Sequence, residues 1–554
     1  MKLFNTRNIT IVAACIFSFT LGGFISQKAE EQKITAAMVK QAQTLFGLEF
    51  TAAETDSMLT DLNDQRKNLA AIRKLDIPNS VSPALNFNPI PAGYKFPDKA
   101  NYFKPEMLSD VSLSADKQEL AFYNIRQLGW LLKNRKITSV ELTRYFIGRL
   151  KKYDPSLLNV VNLTEERALK QAAKADAEIQ AGKYRGVLHG IPFGAKDLLA
   201  AKGKKTTWGS VAYKDQQLDF DATVITRLEN QGAVLIAKTT LGELAMGDVW
   251  FGGKTKNPWN TKRGSSGSSA GSASAVAAGC LPFAIGSETL GSIVSPSTEC
   301  GTTGLRPTFG RVSKFGAMAL SWSMDKLGSI ARSAEDCAIV FNAIQGADGK
   351  DLSVIEAPFN YTTPTKSLKG MRIGYLKSAF SAKAVNDSLS LLKLKELGAE
   401  LVPIEIPKMP YGDMLIVLSA EAGAAFSDLT LNNRDDLLVQ QGRSAWPNAF
   451  RSARFIPAVE YIQANRARTM LIEKLHETLK GLDLYIAPSF SNNLLATNLS
   501  GHPAVVLPNG FNKDGLPTSI TFTGQLFGEG KLLQAAEVYQ RATDFNKKHP
   551  AMNF

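Results

Sequence analysis

Apolar positions from about residue 108 onward switch repeatedly between helical and strand-like spacing. Thr138 and Glu141 form a T-x-x-E pair, which is typical of a capping box at the start of a helix. Apolar side chains then recur every three or four residues along one helical face, at Leu142, Phe146, Leu150 and Tyr153. In contrast, residues 233–239 (AVLIAKT) are a short, nearly continuous apolar run, which predicts a buried strand.

The same alternation continues towards the C-terminus. The pattern predicts helices over 223–230 and from Ser333, a strand over 371–376, and a helix followed by a strand over 393–405. Strands that alternate with helices indicate an α/β fold built on a mostly parallel or mixed sheet. Residues 411–468 interrupt the alternation, and we interpret them as an irregular insertion over a site.

The N-terminal hundred residues have a different organisation. Lys2 and Arg7 precede an apolar stretch over 9–25, so residues 1–29 are predicted to be either a signal peptide or an uncleaved membrane anchor. Residues 33–76 have few glycines and spaced apolar positions, which predicts helix, and residues 79–105 are rich in Pro and Asn, which predicts an extended linker. We therefore divide the chain into 1–29, a helical extension with linker over 30–104, and a main domain over 105–554.

The net charge and the small numbers of Cys and His argue against several classes of function. Lys plus Arg number 64 and Asp plus Glu 51, so the net charge is 64 − 51 = +13, but the basic residues are dispersed along the chain. A nucleic-acid-binding protein more often concentrates its positive charge, so no nucleic-acid partner is expected. Four cysteines without a CxxC pair argue against a zinc framework. With only four histidines in 554 residues, a hydrolase could need a base other than histidine.

Residues 264–304 consist mostly of Gly, Ser, Ala, Thr and Cys. A flexible linker is excluded, because residues 273–278 favour helix and residues 281–285 favour a buried strand. A phosphate loop is disfavoured, because Asp248 stands where the motif ending in the nearby GKT requires glycine. A G-x-S-x-G elbow with Ser269 as nucleophile and His502 as base stays open, although the segment before it (257–263) is a polar loop rather than a strand.

Several motifs in this region, and others on both sides of it, occur in a fixed order. They are GIPFGAKD at 190–197, GSSAGS at 267–272, GSETLGSI at 286–293, GLRPT at 304–308, GHPA at 501–504 and GLP at 515–517. This series resembles the amidase signature family over about four-fifths of the chain. The resemblance implies one large α/β domain with a central mixed β-sheet flanked by helices on both faces, behind the N-terminal helical extension.

The resemblance also implies a Ser-Ser-Lys triad. Ser292 would be the nucleophile, Ser268 the bridging serine in a cis peptide, and Lys196 the base. The backbone amides of Thr289, Leu290, Gly291 and Ser292 would form the oxyanion hole, while Ala245, Met246 and Ser269 would lie near the substrate. Two positions depart from the common family pattern, which has Arg where this chain has Val294 and Gly where it has Leu290.

Elementary chemistry is consistent with a lysine base. A lysine accepts a proton only when neutral, so its pKa must fall from about 10.4 to roughly 7–8. Burial among small hydroxyls and amides can lower the pKa by desolvation. Among the remaining polar residues, we expect Glu288 to be a buried hydrogen-bonding partner, His502 to be structural, and Cys280 and Cys300 to be buried thiols.

These observations favour an exported amidase, periplasmic or extracellular, that hydrolyses a small amide or a peptide C-terminal amide to carboxylate and ammonia. Alternatives are an A-type amidotransferase subunit for mischarged tRNA, a histidine-dependent esterase using Ser269, and a catalytically inactive binding protein. No cofactor or metal is expected. Attachment to a membrane through residues 9–25 and formation of a homodimer stay open.

Overall fold

The structure, a computed structural model, describes residues 33–75, 77–96, 100–106, 108–381 and 384–554. The predicted signal peptide or anchor over 1–29 lies outside those residues. The chain forms two compact units, of which the first ends at Pro78 and the second comprises Asn79–Phe554. In the described ranges, no helix combines the length and the apolar character that crossing a membrane would require.

The first unit contains two helices, α1 (Ala36–Phe46) and α2 (Ala52–Arg73). The sequence predicted helix throughout 33–76, but Gly47 ends α1 with φ +64°, a left-handed conformation that glycine adopts without strain. Helix α2 then begins anew at Thr51, which forms a capping box with Glu54. The break therefore follows from local capping chemistry, which the spacing of apolar residues alone does not reveal.

The second unit contains seventeen strands and fifteen α-helices among the described residues. The strands are β1 (Tyr102–Lys104), β2 (Val160–Leu163), β3 (Pro192–Lys196), β4 (Val234–Thr239), β5 (Val249–Trp250), β6 (Gly253–Lys254), β7 (Lys256–Asn257), β8 (Asn260–Gly264), β9 (Ala284–Glu288), β10 (Thr303–Arg306), β11 (Lys326–Ala331), β12 (Asn360–Thr362), β13 (Arg372–Leu376), β14 (Glu400–Ile404), β15 (Leu484–Pro488), β16 (Ala504–Phe511) and β17 (Pro517–Gly524). The helices are α3 (Lys117–Leu120), α4 (Ile125–Lys133), α5 (Ser139–Leu157), α6 (Glu165–Gln180), α7 (Thr223–Asn230), α8 (Ala270–Ala277), α9 (Val294–Cys300), α10 (Ala334–Ile344), α11 (Val385–Glu396), α12 (Ile416–Ala425), α13 (Ser427–Leu431), α14 (Trp446–Ala453), α15 (Ala458–Thr478), α16 (Asn492–Ser500) and α17 (Glu529–Thr543).

Eleven of these strands form one sheet in the order β14-β13-β15-β17-β16-β10-β11-β9-β3-β4-β2. Strand β3 is parallel to both β4 and β9, whereas β9, β11, β10, β16 and β17 are joined by antiparallel pairs. The sheet is therefore mixed, and helices flank it, which confirms the predicted fold class. The capping box at Thr138 is also confirmed, and the strand predicted over 233–239 is β4 at Val234–Thr239.

Two segments differ from their predicted secondary structure. The strand expected over 281–285 is β9 at Ala284–Glu288, because the backbone pairing with β11 continues into polar residues that are buried. Residues 257–263 were predicted as a polar loop, but β7 and β8 form a short antiparallel hairpin there. This hairpin is separate from the main sheet, so the 265–269 turn does not follow a strand of that sheet.

The segment over 411–468 is largely helical and not irregular. It contains α12, α13, α14 and the beginning of α15. The linker also contributes to the fold of the second unit, since β1 pairs in parallel with β12 and Asn79 donates a hydrogen bond to the carbonyl oxygen of Ala319 at 2.8 Å. Both segments are therefore integral to the domain that holds the candidate site.

Candidate active site

The candidate site lies where the parallel strands β3 and β9 end next to each other. Lys196 is the last residue of β3, and Glu288 is the last residue of β9. Carboxyl ends of adjacent parallel strands meet at one edge of a sheet, which is where ligand sites of open α/β sheets form. The topology therefore brings Lys196 to the small-residue segment although 72 positions separate it from Ser268.

Lys196 is fully buried and surrounded by serines. Its Nζ donates to Ser268 Oγ at 2.8 Å, to Ser287 Oγ at 2.8 Å and to Ser269 Oγ at 3.1 Å. Burial lowers the pKa of Lys196 from 10.5 to about 7, while the charges of Asp325 and Glu288 act in the opposite direction. The amine is therefore poised to exchange a proton near neutral pH, as a lysine base requires.

The two turns that carry the predicted serines are tied together. The peptide bond between Gly267 and Ser268 is cis, as expected. The amide N–H of Ser269 donates to the carbonyl oxygen of Ser292 at 3.1 Å, so the backbone of the Ser268 turn contacts the backbone of the Ser292 turn. Both Ser268 and Ser292 are more than nine-tenths buried.

The carboxylate of Glu288 fixes the backbone that follows Ser292. Its Oε2 accepts from the amides of Ile293 at 2.8 Å and Val294 at 2.9 Å. Its Oε1 accepts from Arg306 Nη1 at 2.7 Å and from Asn498 Nδ2 at 2.8 Å. Although burial alone raises a carboxyl pKa, the charges of Arg306 and Lys326 and these hydrogen bonds lower the pKa of Glu288 to about 2. Glu288 is thus the buried hydrogen-bonding partner that the sequence predicted.

The backbone amides before Ser292 are in a different situation. In the described part of the chain, the amides of Thr289, Leu290, Gly291 and Ser292 donate no hydrogen bond to another protein group. Gly291, just before Ser292, has φ +83°, a left-handed conformation that glycine adopts without strain. Glu288 occupies the next two amides, whereas the four that were predicted to form an oxyanion hole stay available among the described residues.

Ala245 and Met246 lie in a turn beside the cis peptide. The carbonyl oxygen of Gly247 lies only 1.8 Å from where a Cβ on Gly267 would be, so the two turns pack without space for a side chain. Met246 lines a small pocket together with Glu243, Val249, Leu438, Gln440, Ala445 and Trp446. The 411–468 segment therefore forms one wall of a pocket next to the candidate site.

Ser269 and His502 do not come together. Ser269 is fully buried, and its Oγ contacts Lys196 and the backbone of Ser287. The Nδ1 atom of His502 shares a hydrogen bond with Ser500 Oγ at 2.8 Å, and burial lowers the pKa of His502 to about 3. The esterase hypothesis needs these residues in contact, and within the described residues no hydrogen bond joins them.

The remaining predicted polar residues have structural surroundings. Cys280 and Cys300 are buried free thiols whose pKa values burial raises. Sequence reasoning assigned no role to Arg306, Asn498 and Asp325, of which the first two bond to Glu288 and the third bonds to Thr289, at the start of the turn between β9 and α9. Arg306 lies in the GLRPT motif, but that motif does not reveal its partner, and no local signal marks Asn498 or Asp325, because each is distant in sequence from the residue it contacts.

One known protein family matches this chain. Residues 141–496, more than half of the chain, match the family described as Amidase. The chain belongs to the amidase signature family, whose members act on the C–N bonds of amides, and it is an enzyme of that class.

Three relatives place the chain within the family. The A-type subunit of glutamyl-tRNA(Gln) amidotransferase from Acinetobacter baumannii (strain AB0057) is 34% identical over 487 residues, covering 77% of this chain and 98% of the relative. The native peptide amidase from Stenotrophomonas maltophilia is 30% identical with a TM-score of 0.69, covering 78% of this chain and 97% of that one. An amidase family protein from Bacillus anthracis str. Ames is 28% identical with a TM-score of 0.71, covering 78% and 93%.

Proposed function

We propose that this enzyme hydrolyses a linear carboxamide, either a small amide or a peptide C-terminal amide, to carboxylate and ammonia. The observation that supports this proposal most is the hydrogen bond between the fully buried Lys196 and Ser268. The turn that contains Ser268 is itself hydrogen-bonded, through its backbone, to Ser292. No histidine or carboxylate donates to or accepts from Lys196 in the described residues, so the amine is the group available as base.

In this proposal, the reaction begins with neutral Lys196. The amine takes the proton of Ser268 Oγ while Ser268 takes that of Ser292, and Ser292 Oγ attacks the amide carbonyl. The amides of residues 289–292 stabilise the resulting oxyanion, and each such donor contributes roughly 3 kcal/mol to transition-state stabilisation. The proton returns through Ser268 to the leaving nitrogen, ammonia departs, and water hydrolyses the Ser292 ester by the same relay.

The amidotransferase alternative has one observation in its favour. Relatives that are 34% and 33% identical carry the name of the A-type subunit of glutamyl-tRNA(Gln) amidotransferase, and that name describes one component of an assembly. However, the relatives align with only 77% of this chain, so nearly a quarter of it has no counterpart in them. We favour the free-standing amidase, as a monomer or a homodimer, because the N-terminal residues predict export.

Export is a separate part of the proposal. Lys2 and Arg7 followed by the apolar stretch over 9–25 support a signal peptide or an anchor, with the product periplasmic or extracellular. Fractionation of cells that produce the full chain should recover the enzyme outside the cytosol or in the membrane fraction. Recovery of the full-length chain from the cytosol alone would refute this part of the proposal.

The catalytic part is tested with the purified chain and a panel of amino-acid, peptide, fatty and aryl amides. Ammonia release should be lost in Ser292→Ala, and a fluorophosphonate should label the wild type but not this variant. His502→Asn, which keeps a polar group facing Ser500, should stay active, and it is the matched control for the esterase hypothesis. Activity that survives in Ser292→Ala would refute the proposal, and turnover of glutamine only in the presence of partner proteins would favour the amidotransferase.

A further inference from the structure

A buried carboxylate on α12, Glu421, is saturated with hydrogen bonds far from the triad in sequence. Its Oε2 accepts from Ser321 Oγ at 2.6 Å and from the amide of Ser323 at 3.0 Å. Its Oε1 accepts from Ser323 Oγ at 2.7 Å and from the Tyr461 hydroxyl of α15 at 2.8 Å. Only 5% of Glu421 is exposed, so these four bonds replace its solvation.

A buried arginine on α15 holds the same loop from its other side. Arg468 Nη1 donates to Ser323 Oγ at 2.8 Å, and Nη2 donates to the carbonyl oxygen of Ser323 at 3.2 Å. Its guanidinium also lies 3.8 Å from the ring centroid of Phe87. Helices α12 and α15, both from the segment predicted to cover a site, therefore fix the loop that precedes β11.

That loop in turn holds Thr289 of the candidate oxyanion turn. Asp325 Oδ1 accepts from Thr289 Oγ1 at 2.5 Å, while its Oδ2 accepts from the amides of Leu320 at 2.8 Å and Ser321 at 3.0 Å. Lys326 Nζ donates to the carbonyl oxygen of Thr289 at 3.5 Å. Hydrogen bonds thus connect Glu421 to Thr289 through Ser321 and Asp325 without interruption.

We propose that Glu421 is a positioning residue: through Ser321 and Asp325, it sets the orientation of Thr289 and hence of the oxyanion amides. This inference rests on the proposed function. In low dielectric, removing one partner of a buried polar network leaves the others uncompensated, so the loop must shift. A shift of the order of 1 Å at a catalytic group can lower a rate about a hundredfold.

Two substitutions test the connection at different points. Glu421→Gln keeps the shape but leaves buried Arg468 without its nearby negative charge, and Ser321→Ala keeps the amide bond to Asp325 while removing the bond to Glu421. Glu460→Gln on α15 is the matched control, because Glu460 is exposed and makes no side-chain hydrogen bond among the described residues. Tyr461→Phe is a milder variant should Glu421→Gln fail to fold.

Two rates are measured at equal folded concentration, set by circular dichroism. One is amide turnover, and the other is labelling of Ser292 by a fluorophosphonate, which needs the oxyanion amides but no natural substrate. We expect Glu421→Gln and Ser321→Ala each to lower kcat and the labelling rate about tenfold, with KM within about twofold, because the oxyanion turn is displaced and not removed. The double variant should lose little more than either single variant, since both break one path.

Unchanged rates in both variants would overturn the inference, and so would losses that multiply in the double variant. Loss of thermal stability with normal kcat would assign Glu421 a purely structural role. If the wild type is labelled at Ser292 but turns over no amide in the panel, the proposed substrate class is wrong, and the labelling rates still decide the inference. If Ser292 is not labelled at all, both are wrong.

Discussion

Varying pH tests the proposed base most directly, because Lys196 must be neutral to accept a proton. Its pKa of about 7 lies about 3.5 below the ordinary value of 10.5, which corresponds to about 5 kcal/mol of lost stabilisation of the charged amine. We therefore expect kcat/KM to level off above about pH 7 and to fall tenfold per pH unit below it. At about pH 5 the enzyme should retain roughly one-hundredth of its maximal kcat/KM.

The same pKa difference predicts how the stability of the fold depends on pH. Between pH 7 and about 10.5 the unfolded chain keeps the Lys196 proton that the folded protein has released, so the unfolded state binds more protons. The free energy of unfolding contributed by this group then rises by about 1.4 kcal/mol per pH unit in that window. Below pH 7 both states hold the proton, and the full penalty of burying the charge persists.

Both predictions can be measured against Lys196→Met, which has a similar length and no charge. The assay is urea unfolding of wild type and variant from about pH 7.5 to about 9.5, together with kcat/KM of the wild type for a neutral amide from about pH 5 to about 9. Lys196→Met should be inactive at every pH, and its stability relative to the wild type should decline as pH rises. A kcat/KM profile controlled by a pKa near 10, or a stability difference independent of pH, would refute the argument.

Two further substitutions probe the residues that support the site, and a third probes a helix cap remote from it. Arg306→Met should lower the free energy of unfolding by about 3–5 kcal/mol and also lower kcat, because it removes the cation paired with the buried Glu288 carboxylate. A free energy of unfolding in urea within about 1 kcal/mol of the wild-type value would contradict this prediction. Gly291→Ala should lower the free energy of unfolding by about 1–2 kcal/mol and slow the labelling of Ser292, because residue 291 has φ +83°, where a Cβ is strained. A normal labelling rate would argue against a role for this turn. Thr138→Ala should lower the free energy of unfolding by about 1 kcal/mol and leave kcat unchanged, because it removes a capping box remote from the site. Thermal unfolding measures the first effect, and the amide assay measures the second.

Hydrophobic patterning was sufficient for the alternation of helices and strands in the main domain, as α7 and β4 illustrate. It failed over 411–468, where α15 exposes apolar side chains such as Val459, Ile462 and Met470 while it buries Arg468. A helix with apolar residues on its outer face and a cation on its inner face has no clear periodic signal. Most partners of the buried cation lie on other elements, at Ser323, Leu499 and Phe87, where a local pattern cannot show them.

The candidate site, like the fold, was predictable from the sequence only in part. Lys196, Ser268 and Ser292 are found from motifs, because small residues and fixed spacing mark them. Glu288 is found in the same way, from the GSETLGSI motif. Its partners Arg306 and Asn498, and Asp325 beside Thr289, are brought to the site by the tertiary structure and not by sequence proximity. The predicted end of β9 at residue 285 was wrong for the same reason, because Ser287 and Glu288 are buried polar residues whose partners a local pattern cannot contain.

The arrangement of carboxylates explains how the pKa of Lys196 can stay low although two acidic residues lie nearby. Asp325 and Glu288 are the charges that raise the pKa of Lys196, yet neither is hydrogen-bonded to it. Glu288 accepts from two amides, Arg306 and Asn498, while Asp325 accepts from two amides and Thr289. Because other donors occupy both carboxylates, the amine is left with uncharged hydroxyls, and desolvation dominates its pKa. The hydrogen bonds that order the nucleophile turn and the oxyanion turn therefore also keep a counter-ion away from the base.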